Sequence, residues 1–199
     1  MSPPAPASDP SVGQPPASGG PPDQELLTRA QQGDTQAFLD LYERHRRAVY
    51  RVAYGLTHDI EDAMDVVQET FIKAHKSIAR FERRAGIGTW LCQIAVHQSI
   101  DLCRKRKVRQ SEPLDVTREV AGRERTPDSH AREHELSEAV GKALMKLSDK
   151  HRTVFVLHVV KGMPYKEIAE TLGCSVGTVM SRLFYARRHL QGLLAPFAR

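Results

Sequence analysis

Three groups of residues in this chain have types and spacings suited to chemistry, and in each the chemistry is binding rather than bond-making. Asp62, Asp65 and Glu69 recur at three- and four-residue steps with Gln68 beside them, so a helix would gather them on one face. Carboxylates near a helix start are favoured by its dipole, which is one reading of the cluster. Ile72 adds an apolar residue to the same face, and the combination reads as a docking surface. The second group follows Phe81 and a loop with two glycines, where Trp90, Gln93 and His97 lead into a basic run containing Arg104 and Lys105. An aromatic beside such a loop, then a basic run, suits bases that leave the stack while cations hold the backbone. Trp90 also reads as a packing anchor.

The third group is Tyr165 to Phe184, YKEIAETLGCSVGTVMSRLF, which has helix-turn-helix grammar. Ile168, Ala169 and Leu172 are expected inward on the first helix, and Gly173 supplies the left-handed turn residue. On the second helix Val176, Val179 and Leu183 are expected inward. Ser175, Gly177, Thr178, Ser181, Arg182 and Tyr185 then face a DNA major groove, with Lys166 on the helix before them. Arg187 and Arg188 extend the positive surface toward phosphates.

The elements that must position these groups are helical throughout. After Gly33, Asp34 is placed to cap a helix carrying Phe38, Leu41, Tyr42, His45, Val49, Val52, Ala53 and Leu56 on one side. Asp59 opens the next, with Ala63, Val66, Val67, Phe71, Ala74 and Ile78 inward, and a fourth runs from about Thr89 towards Lys107. Leu136, Val140, Ala143, Leu144 and Leu147 begin a second module, and Ser148-Asp149 caps its next helix. No stretch alternates with period two, so the fold class is all-α: two small helical domains. The expected divisions are a Pro-rich disordered tail at 1–22, a first domain at 23–108, a charged flexible linker at 109–133, and a second domain at 134–199 able to fold alone.

Composition narrows the function classes. Lysine and arginine total 29 against 24 acidic residues, an excess compatible with an anionic partner. Three cysteines without a CxxC pair suggest neither a disulfide framework nor a metal site, and reduced thiols fit a cytoplasmic protein. No signal peptide and no membrane-spanning run is legible, so no membrane insertion is expected. Neither a Gly-rich phosphate loop nor a nucleophile–base pattern appears, and no enzyme activity, cofactor or catalytic residue is expected.

DAMDVVQETFIKAHKSIARF followed by TWLCQIAVHQSIDLCRKRKVR resembles region 2 of extracytoplasmic-function sigma factors, and GDTQAFLDLYERH is similar to its start. KEIAETLG with GTVMSRL resembles region 4 of the same group. The resemblance implies a specificity subunit of RNA polymerase that starts transcription at selected promoters, of the kind that serves stress or envelope responses. It implies that Asp62, Asp65, Gln68, Glu69 and Ile72 bind the polymerase core, with the β′ coiled coil against α-helical residues 65–78 and contacts to β as well. Recognition of the −10 element falls to Phe81, Trp90, Gln93, His97, Arg104 and Lys105, and of the −35 element to the helix-turn-helix. An anti-sigma factor is the implied regulatory partner. A stand-alone helix-turn-helix regulator is the alternative, though it would need no DVVQETF surface.

The chain departs from the family pattern at Met64, where Glu is frequent, and at His97, where Asn is common. Met180 and Tyr185 replace frequent basic residues on the recognition helix. The first departure trims the acidic face, and the others bear on base preference.

Overall fold

A computed structural model describes residues 20–82, 85–111 and 130–197. The tail and linker expected at 1–22 and 109–133 lie almost wholly outside the described residues. Those described form α1 (Asp23–Gln31), α2 (Thr35–Thr57), α3 (Ile60–Ser77), α4 (Ile87–Ser111), α5 (His130–Met145), α6 (Asp149–Phe155), α7 (Tyr165–Leu172) and α8 (Val176–Leu194). No strand occurs among the described residues. Nor is any helix there long and apolar enough to cross a membrane.

Capping explains where the first helices start. The Asp34 carboxylate accepts from the Ala37 amide at 3.1 Å, and the Asp59 carboxylate from the Asp62 amide at 3.0 Å. Each satisfies an otherwise orphaned donor of the first turn. Ser148 stands at the start of α6, but its side chain makes no capping bond. His58 ends α2 in the left-handed region at φ 52°, a conformation histidine tolerates better than branched residues. Gly141 on α5 lies directly against the His58 ring, where a Cβ would collide. Burial holds the His58 imidazole below its ordinary range, against the opposing pull of Glu138.

Helices α1 to α4 enclose a core of Leu26, Leu27, Leu41, Val49, Val66, Phe71, Ile78 and Leu91. Phe38 and Tyr42 meet the Phe71 ring edge-on, tying α2 to α3. A second core joins Val52 and Leu56 of α2 and Cys92 and Val96 of α4 to Val154, Val156, Leu157, Ile168, Val179 and Leu183. A small third cluster, Ala143, Leu144, Leu147, Ala186 and Leu190, ties α5 to α8. The second module therefore closes its main core on the first. Its α6 also widens into a π-helical turn over Val156–Val160, within the apolar run VFVLHVV.

Candidate nucleic-acid and polymerase interfaces

On α3 the apolar period buries Ala63, Val66, Phe71 and Ala74, which turns the remaining face outward. Asp65, Gln68 and Glu69 are exposed there, with Ile72 40% and Met64 61% accessible. Asp65, Gln68 and Ile72 also line an open groove of about 2180 Å³ that runs to Arg47 and Arg51 on α2. Glu69 pairs loosely with Lys73 at 3.7 Å, a solvent-screened contact of little energetic weight.

Asp62 stands apart from this face. Its carboxylate pairs with Arg106 of α4, which also reaches Asp59 at 3.2 Å. Burial pushes the Asp62 carboxyl up, against the pull of Arg106. Asp59 goes the other way, lowered first by the Asp62 amide it caps and then by Arg106. Asp62 thus fastens α3 to α4 and leaves Asp65 and Glu69, with Gln68 between them, as the exposed polar face of α3. The basic run ending α4 was the only sequence signal for this pairing.

At the start of α4, the Phe81 and Trp90 rings stack with centroids 4.6 Å apart, and both are half-buried. Gln31 of α1 donates to the carbonyls of Ile78 and Phe81, each at 3.0 Å, and so pins the segment entering the loop. Trp90, Gln93 and His97 recur at three- and four-residue steps and share one side of α4. His97 is exposed, as are Arg104 and Lys105, which begin roughly 10 Å further along the axis. Gln93 instead donates to the Thr171 carbonyl on α7 at 3.4 Å. Thr89, one residue before Trp90, donates to the Glu167 carboxylate on α7 at 3.1 Å. These two contacts, absent from sequence expectation, set the first helix of the second module's helix-turn-helix beside the expected −10 surface.

That helix-turn-helix is built as its grammar requires. Gly173 adopts φ 59°, and the Cys174 amide returns to the Ala169 carbonyl at 3.0 Å, stopping α7. Ile168, Ala169, Val179 and Leu183 are buried, and Leu172 is half-buried. Val176, expected inward, is 41% exposed because it sits in the first turn, ahead of the crossing with α7. Ser175 caps α8 by accepting from the Thr178 amide at 3.1 Å, and its hydroxyl also bonds Thr178 Oγ1 at 2.9 Å. Ser181 donates to the Thr178 carbonyl at 3.1 Å. Gly177, Ser181 and Tyr185 are exposed, as is Lys166 on α7; Thr178 and Arg182 are half-buried. The exposed Arg187 and Arg188 continue along α8. Among the described residues no three metal-ligating side chains come together.

A helical bundle with an acidic-apolar face, joined to a helix-turn-helix, defines a DNA-directed specificity factor. Residues 41–109 match sigma-70 region 2, and residues 137–190 match sigma-70 region 4. The chain belongs to the extracytoplasmic-function group of RNA polymerase sigma factors. It is 31% identical to the ECF RNA polymerase sigma factor SigW of Bacillus subtilis, over 84% of this chain and 94% of that one. It is 34% identical to the ECF RNA polymerase sigma-E factor of Haemophilus influenzae, over 87% and 96%. Among solved structures, CnrH in complex with the cytosolic domain of CnrY superposes with a TM-score of 0.68 at 30% identity, covering 87% of this chain and 97% of that one. The sigma factor RpoE of Bartonella quintana, in complex with the anti-sigma factor NepR, gives 0.65 at 26%, covering 81% and 98%.

Proposed function

We propose that this chain joins core RNA polymerase through the outer face of α3 and carries it to promoters, where α4 receives the −10 element and α8 the −35 element. The observation that carries the reading is the exposed groove face of Asp65, Gln68 and Ile72, which no partner within the first module covers. A stand-alone repressor would have no use for such a face. The exposed carboxylates of Asp65 and Glu69 suit a basic partner, and Met64 and Ile72 beside them supply apolar area. On this reading Phe81 and Trp90 shape the receiving surface, Gln93 and His97 read it, and Arg104 and Lys105 hold the backbone. The role is non-enzymatic and cytoplasmic.

The arrangement also supports an anti-sigma partner. With Gln93 and Thr89 engaged by α7, the expected −10 surface is partly covered while the two modules share a core. A protein that grips both modules would prolong that state, and the likeness to RpoE in its complex with NepR spans both.

Run-off transcription with purified core polymerase on fragmented genomic DNA tests the proposal. Discrete transcripts that need both core and this chain are expected. DNA binding without core-dependent transcription would favour a stand-alone regulator.

A further inference from the structure

The recognition helix holds its polar side chains close and offers its apolar ones. Ser175 and Thr178 bond each other and the first-turn backbone, Ser181 bonds the Thr178 carbonyl, and Arg182 leans to Cys174 Sγ at 3.9 Å. Val176, Met180 and Phe184 recur every four residues along one edge of α8, and Met180 is 54% exposed. Nothing in the fold requires an apolar residue at a position so open, and a thioether has only dispersion and a weak acceptor to offer. Along its whole length α8 carries three arginines and no acidic residue, a complement to phosphate, and Arg187 and Arg188 lie nearest this edge. In a major groove the apolar feature that distinguishes one base from the others is the thymine C5-methyl.

We propose that Met180, with Val176 one turn before it, sets the −35 preference of this protein by packing on thymine methyl groups in the major groove. The inference rests on the assignment of α8 to the −35 element and specifies what it reads there. A methionine in place of a basic side chain would exchange a donor that seeks guanine for a surface that seeks a methyl.

The test uses holoenzyme assembled from the full chain and core polymerase, on duplexes randomised across the −35 element. Selected sites should hold thymine at one or two fixed positions. Replacing each such thymine by deoxyuridine removes only the methyl and should lower affinity about four-fold, the worth of one buried carbon. Met180→Ala should abolish that deoxyuridine penalty, and Met180→Leu should retain it; both lie on the surface, so circular dichroism should be unchanged. A clear −35 preference without deoxyuridine sensitivity, or a penalty that persists in Met180→Ala, overturns the inference alone. No −35 preference at all overturns the assignment of α8 as well. A loss of core assembly in Met180→Ala with an unchanged base profile would mean that the edge docks on protein, and the inference falls.

Discussion

In the first module Leu26, Leu41, Val49, Phe71 and Leu91 pack on one another across α1 to α4, whereas in the second Val154, Leu157 and Ile168 complete their cluster with Val52, Leu56, Cys92 and Val96. What the second module keeps for itself is the packing of α6 and α7 on α8 and the small α5–α8 cluster around Leu144 and Leu190. One module brings a finished core to the junction and the other an unfinished one. Separation of the two would therefore weigh unequally: the first module would uncover a patch of Val52, Leu56, Cys92 and Val96 beside a core of its own, and the second would open its main cluster.

The strongest way to break this comparison is to cut the chain. Residues 20–111 should unfold cooperatively, with Trp90, the sole tryptophan, reporting the transition. Residues 130–199, whose α6 and α7 pack on α8, should fold alone as expected but unfold less cooperatively and at a lower midpoint. Equal cooperativity for both fragments would refute the asymmetry. In the intact chain, Leu157→Ala should cost about 2–5 kcal/mol in denaturant unfolding, as buried leucines do. It should loosen α6 to α8 before it affects Trp90 fluorescence.

Next in size is Asp65→Lys, which should lower core affinity several-fold or more in competition assays. Because the substitution lies on the finished module and away from the junction, the unfolding midpoint should hardly move. Unchanged core binding would remove α3 from the interface. His97→Asn sharpens the comparison on the other face of that module. Neutral histidine presents its donor and acceptor on opposite sides of a ring, while an amide offers both together. The preferred −10 base should change by about 1–3 kcal/mol in discrimination. Open-complex formation on promoters randomised across that element is the measurement, and identical profiles would return His97 to solvent.

The smallest effect is a pH response confined to the first module. Asp23 takes hydrogen bonds from His45 at 2.9 Å and Arg44 at 2.8 Å, and these hold its carboxyl down at about 2. A depressed carboxylate stabilises the fold above its unfolded value of 3.8, and that stability fades as pH falls toward 2. Asp23→Asn should flatten the stability curve in that window and leave it unchanged in shape near neutrality. An unaltered acid slope would count against the ion pair.

Local grammar made much of this legible in the sequence. Asp34, Asp59 and Gly173 do what their types foretell, since caps and left-handed turns depend on neighbours within a few residues. The inward stripes of α2 and α3 were readable from period alone. The shared core was not, because Val52, Leu56 and Val96 look the same whether they face their own module or another. One clue was available: VFVLHVV is apolar except for His158, more apolar surface than one face of a helix needs, although Val159 stays 53% exposed. At the sites, Asp62 read as a member of the acidic face until Arg106, 44 residues later, claimed it. Gln93 met Thr171 across 78 residues, a distance at which spacing carries no signal.

Gly55 lies in the last turn of α2, where a Cβ would come within 2.9 Å of Val156 Cγ1. Its hydrogen is a keyhole between the modules. An alanine there favours the α2 helix by about 1 kcal/mol and at the same time acts as a wedge one methyl wide. A single substitution, remote from α3, from His97 and from Met180, would thus press on the seam between the modules with the width of one carbon.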